Sequence, residues 1–224
     1  MDLIYSISIW LLPLLFAITF HEAAHAYVAR FLGDHTASQL GRVSLNPIRH
    51  IDPFGTVLLP GLLLLAHSPF LFGYAKPVPV NFRALRHPRM GMVLVAAAGP
   101  ATNIALAIAA ALSFHLVGYL PSTAAQWTAR NLQNAVVINA ILAMFNLFPL
   151  PPLDGGRIAV GLLPVALGRW LARLEPYGMT ILIGLIIVLP LLGTQFGVDL
   201  GFVSHAITTA TNAVIRVILQ VTRA

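Results

Sequence analysis

Residues 3–20, LIYSISIWLLPLLFAITF, run without interruption into His21-Glu22-Ala23-Ala24-His25. The apolar run is about the length of a membrane-crossing segment, so the helix it predicts carries this polar motif into the bilayer. At 3.6 residues per turn His21 and His25 are i and i+4, and both imidazoles leave one face, where they can share a metal ion. Glu22 lies beside them, free to act as a base in metal-assisted hydrolysis.

The rest of the composition agrees with a membrane setting. Of 224 residues, 58% are hydrophobic and only 9% charged, with a mean hydropathy of +0.85, which marks an integral, all-α polytopic membrane protein. No linker or charge block divides the chain, so residues 1–224 read as one domain, with a core over 1–157 and accessory membrane helices over 158–224. The net charge of +6 would suggest nucleic acid in a soluble protein. Here the 13 Lys and Arg are scattered between apolar runs, as topology signals and contacts to membrane lipids, and no nucleic-acid partner is expected. With no cysteine, thiolate metal sites, disulfides and a Cys nucleophile are excluded. The N-terminus lacks a basic leader region and a small-residue cleavage site, so the first helix is expected to be retained.

Apolar segments fall at residues 3–30, 54–72, 90–117, 131–150, 177–192 and, more weakly, 202–221. Gly33 is placed to cap the first, and 155–176, with Arg157, Arg169, Arg173 and Glu175, reads as interfacial or partly inserted helix. Basic residues orient the chain. Arg30, Arg42 and Arg49 precede segment 54–72, and Lys76, Arg83, Arg86 and Arg89 follow it. Were that segment to span, one basic loop would face the wrong side. Pro60, Gly61, Ser68 and Pro69 also break it, so a re-entrant or interfacial hairpin is expected. The first helix then runs inward, and His21 lies roughly 13 Å along it from Arg30, below the cytoplasmic surface.

Catalytic zinc sites take three protein ligands and leave a fourth position for water, so the two histidines need a partner. Among seven Asp and Glu residues, Asp154 is the best placed. It lies in Asn146-Leu147-Phe148-Pro149-Leu150-Pro151-Pro152-Leu153-Asp154-Gly155-Gly156, directly after the helix at 131–150, which is expected to span the membrane and to end on the same side. Prolines and glycines there prevent regular helix, and such backbone is tolerated at membrane depth only where protein buries it or it lines a cavity.

These two motifs, in this order, resemble the signatures of the site-2 protease family of intramembrane metalloproteases. Gly99-Pro100-Ala101-Thr102-Asn103 is similar to the Gly-Pro-x-x-Asn element of that family's central helix. Leu45-Asn46-Pro47-Ile48-Arg49-His50-Ile51-Asp52-Pro53 and Gly73-Tyr74-Ala75-Lys76-Pro77-Val78-Pro79-Val80-Asn81 resemble loops of its small bacterial and archaeal members. The matching stretches extend to Gly156, about two thirds of the chain. The resemblance implies a three-helix catalytic core, one Zn2+ held by His21, His25 and Asp154, Glu22 as general base, and Asn146 holding the substrate carbonyl or its oxyanion. It implies transmembrane protein substrates and a multi-pass protein of the cell membrane, with its active site toward the cytoplasmic side. No room is seen for an inserted PDZ domain or a nucleotide-sensing domain.

A helical peptide bond is shielded by its own hydrogen bonds, so a membrane substrate must unwind before it is cut. The unwound backbone then needs replacement partners, which an edge strand can supply. Short β or re-entrant elements are expected between the first and central helices, with 41–45 and 77–80 as the runs that pair with substrate. Gly41, Val43, Pro77 and Val78 are the substrate-binding candidates there. Asn103 is a further one, unless it serves as a hydrogen bond between helices. His50 and Asp52 suit a turn as well as substrate contact. Two other functions fit parts of the pattern, a metal-ion transporter and a catalytically inactive relative that binds membrane helices. The first leaves Glu22 unexplained, and the complete ligand and base set argues against the second.

Overall fold

The computed structural model describes residues 3–58, 62 and 76–223, which are predominantly helical and free of strands. Helix α1 spans Leu3–Phe31 and ends at Gly33, whose φ of +108° is open to glycine at little cost; the Asp34 N–H returns to the Ala29 carbonyl. Helix α2, Pro88–Ser113, starts on a proline whose missing N–H costs nothing at a first position. Helix α3, Ser122–Asn146, follows Pro121. These three pack against one another and form the core.

Their facing surfaces are rich in small side chains: Ala17, Ala23 and Ala29 on α1, Gly99, Ala107 and Ala111 on α2, and Ala140 and Ala143 on α3. Lipid offers no hydrophobic drive for helix association, so close approach of small residues supplies the contact. Large apolar side chains such as Trp10, Leu14 and Phe16 point outward.

Beyond the core, α4 (Asp154–Leu162) and α5 (Val165–Ala172) are short and amphipathic, as the charges of 155–176 predict. Helices α6 (Gly178–Ile183) and α7 (Leu189–Gln195) flank a wider turn at Gly184–Val188. Helix α8, Phe202–Thr222, lays Ile218 against Ala107, Ala110, Ala111 and Val136 of the core.

Among the described residues, four stretches are long and apolar enough to cross a membrane: Ile4–Phe31, Pro88–Tyr119, Val165–Gln195 and Phe202–Thr222. The core helix α3 is not one of them. It starts at Ser122, well before the apolar run at 131–150, and ends at Asn146, because Gln126, Arg130, Asn131 and Gln133 are good helix formers or tolerable ones while Pro149 and Pro151 end the helix.

The hairpin expected at 54–72 lies almost wholly outside the described residues, of which only Pro53–Leu58, a wide helical turn, and residue 62 belong to this region. The edge strands expected at 41–45 and 77–80 are corrected. Neither run pairs as a strand among the described residues. Gly41 turns the chain at φ +64°, and Pro77 and Pro79 lack the N–H groups that a ladder needs. Instead Val43, Val78 and Val80 pack onto Ala26 and Ala37, which presses both runs against the end of α1.

Candidate metal centre

His21 and His25 project from α1 into the core, 7% and 8% exposed, with their Nε2 atoms 3.1 Å apart. Asp154, on the first turn of α4 and 6% exposed, brings Oδ2 to 3.2 Å from His21 Nε2 and 3.4 Å from His25 Nε2. A residue more than a hundred positions downstream thus closes the triangle that the first helix opens.

The other ring nitrogens are committed. His25 Nδ1 lies 2.7 Å from the Val95 carbonyl, which can only accept, so this nitrogen donates. His21 Nδ1 lies 2.5 Å from Asn103 Oδ1 and donates likewise. In the tautomers that these bonds select, both Nε2 atoms present lone pairs, which face each other and the buried Asp154 Oδ2, an atom without a hydrogen-bond partner among the described residues. Three potential ligand atoms converge on one point, an arrangement that a cation satisfies. A tetrahedral zinc ion with bonds of 2.0–2.1 Å holds its ligand atoms about 3.3 Å apart, which matches the observed triangle.

Room for the ion comes from α2. A Cβ on Gly99 would lie 2.5 Å from His21 Cε1 and His25 Nε2 and 2.6 Å from His21 Nε2. Only glycine leaves the two rings clear of the helix at this position.

The elbow before Asp154 is rigid through close backbone packing. A Cβ on Gly155 would meet the Phe148 carbonyl at 2.6 Å, and one on Gly156 would meet Pro151 Cδ at 2.5 Å. The Pro151–Pro152 peptide is cis. Leu150 and Leu153 pack on Leu182 of α6, and at the far end of α4 the Arg89 guanidinium donates to the carbonyls of Gly161 and Leu163.

Glu22 is half-buried next to His21, and its Oε2 accepts the Val78 N–H at 2.8 Å. Val78 therefore reaches the site, but its N–H is turned to Glu22. The Pro77 and Lys76 carbonyls accept from Arg42, and the Gly41 carbonyl from Arg49. Asn146 donates to the Leu142 carbonyl one turn back in its own helix, and no hydrogen bond joins it to Glu22 or the ligand triangle. Asn103 is fully buried with its amide engaged on both sides, so its candidacy for substrate binding gives way to a position inside the bundle. His50 is buried, and Asp52 caps Phe54 and Gly55, consistent with a turn. Val95, Gly99 and Asn139 escaped the sequence reading as site residues; of these only Gly99 lay in a motif that could have flagged it.

The chain is 39% identical over 183 residues to YwhC of Bacillus subtilis (strain 168), a protein with zinc metalloprotease in its name; the match covers 79% of this chain and 78% of that one. The chain belongs to peptidase family M50, the site-2 protease family. The model of that family matches residues 116–190 of this M50 peptidase, the part that contains the Asp154 motif. Rip2 of Mycobacterium tuberculosis (strain ATCC 25618 / H37Rv), also named as a zinc metalloprotease, is 30% identical over 207 residues, which is 90% of this chain and 77% of that one. No solved structure matches the chain. Family, relatives and ligand triangle agree on a membrane zinc metalloprotease.

Proposed function

We propose that this M50 peptidase hydrolyses peptide bonds within or near transmembrane segments of membrane proteins. His21, His25 and Asp154 hold one zinc ion and Glu22 is the general base. The observation that carries this reading is the buried triangle of two imidazoles and a carboxylate, with a second carboxylate adjacent, in a bundle whose first helix has the length and hydropathy to cross a membrane. When bound, zinc supplies a Lewis acid that acidifies water and polarises a peptide carbonyl.

The chain's own groups do the rest. The Val95 carbonyl and the Asn103 amide orient the two rings, and Asp154 adds a negative charge that a bound cation would neutralise. The Val78 N–H holds Glu22 by Oε2, which leaves Oε1 to take a proton from water and return it to the leaving amine. With α1 running inward, cutting takes place toward the cytoplasmic side of the cell membrane, in a multi-pass protein that meets its substrates and lipids laterally. The backbone at 76–81, held over the end of α1 by Asp34 and Arg42, lies next to the base, where an unwound substrate would pass.

The test is cleavage of single-span substrates carrying helix-destabilising Gly, Pro or Asn, by purified protein in detergent, with zinc content measured alongside. Loss of cleavage with zinc retained in Glu22→Gln, and loss of both in Asp154→Ala, is the expected pattern. Cleavage that persists in Glu22→Gln would remove the assigned base.

A further inference from the structure

We propose that Asn103 and Asn139 are positioning residues for the metal: a relay of two amides that crosses from α3 through α2 to His21 on α1 and sets its tautomer before any ion arrives. The inference deepens the zinc-peptidase reading and rests on it for the identity of the ion.

The relay is anchored at both ends by groups that can only accept. Asn139 Nδ2 donates to the Ala135 carbonyl at 2.9 Å, which turns its Oδ1 toward α2. Asn103 Nδ2 donates to that Oδ1 at 2.7 Å and to the Ala17 carbonyl at 3.2 Å, so both of its N–H bonds have acceptors. Its Oδ1 is thereby left facing His21 Nδ1 at 2.5 Å. Flipping either amide would set N–H against N–H or oxygen against oxygen. With hydrogen on Nδ1, the lone pair of His21 lies on Nε2, the atom that faces His25 and Asp154. Asn103 also grips one turn of α1 at two points, the Ala17 carbonyl and the imidazole four residues on, so the ring cannot swing without breaking the contact between helices. Both amides are buried, at 0% and 3% exposure.

Asn134 is the built-in control. It too is buried on α3 and crosses to α1, donating to the Ile9 carbonyl at 2.7 Å, but its bond ends there, twelve residues before His21. If buried asparagines serve this bundle only as adhesive between helices, Asn103, Asn139 and Asn134 should behave alike.

The experiment measures zinc affinity by competition with a chromophoric chelator, and the d–d spectrum of the cobalt-substituted protein, for Asn103→Leu, Asn139→Leu and Asn134→Leu, with thermal stability of the metal-free forms in parallel. Loss of an outer partner of a ligating histidine weakens metal binding by roughly 10- to 100-fold. That range is expected for Asn103→Leu with an altered cobalt spectrum, a smaller loss for Asn139→Leu, and unchanged affinity for Asn134→Leu despite lower stability. Asn103→Asp keeps an acceptor for His21 Nδ1 and should recover zinc affinity without recovering stability. Equal stability losses in all three leucine variants with unchanged zinc affinity would overturn the relay. Should Asn103→Leu not fold, Asn139→Leu against Asn134→Leu decides it alone. A normal relay result in a protein that cleaves nothing would leave the relay standing and remove the protease reading, whereas a wild-type protein that binds no zinc would end both.

Discussion

Gly99 shows how little a single side chain can weigh and still decide the site. A methyl group there would sit among the ring atoms of both histidines. Gly99→Ala is expected to lower zinc content well below one per chain, by elemental analysis of purified protein, while Gly118→Ala, which faces open space, should leave it unchanged. Glu22 is predicted to act on rate alone. General acid–base groups contribute about 10²- to 10⁴-fold, so Glu22→Gln should reduce cleavage by at least the lower figure while zinc affinity stays near that of the wild type. Parallel loss of zinc would mean that Glu22 shapes the ligand triangle.

At the scale of elements, the non-helical run at 76–81 depends on Asp34, just beyond α1. Its carboxylate accepts from the Thr36 hydroxyl and N–H through Oδ1 and from the Asn81 N–H through Oδ2, and so ties the run to the end of the helix. Burial by itself would raise the Asp34 pKa, but these hydrogen bonds outweigh it and hold the group below the usual carboxylate range. A depressed folded-state pKa gives stabilisation that is complete above the unfolded value of about 3.9 and lost as pH falls through the folded one. Asp34→Asn should therefore be less stable than wild type at neutral pH, with the difference closing in strong acid, as read from thermal unfolding across a pH series. Asp34→Ala strands the Thr36 and Asn81 donors and should cost about 1–3 kcal/mol. A stability gap that does not change with pH would separate the loop's anchoring from the charge of Asp34.

The whole molecule couples metal binding to helix packing, since the ligands come from α1 and α4 and their supports from α2 and α3. A ligand that binds only the folded state stabilises it by about 2.7 kcal/mol when present at 100 times its Kd. Removing zinc with a chelator should accordingly lower the unfolding temperature of the wild type, and His25→Ala should abolish that response. The parts of this arrangement that were legible from residues alone are the local ones. The spacing of His21 and His25 is set by helix geometry, and the membrane class by the density of apolar residues. Asp154 stood out because carboxylates are scarce in this chain and its proline- and glycine-rich surroundings forbid a plain helix. The sequence could not say which partners those groups would find. His21 meets Asn103 82 residues away, His25 meets Val95 70 residues away, and Glu22 meets Val78 56 residues away. It also suggested strands where prolines and a left-handed glycine leave the chain unpaired. Periodicity tells which face of a helix is buried. Only the packing of α1, α2 and α3 decides which polar group on that face meets which, because each such contact depends on the rotation and depth of two helices at once.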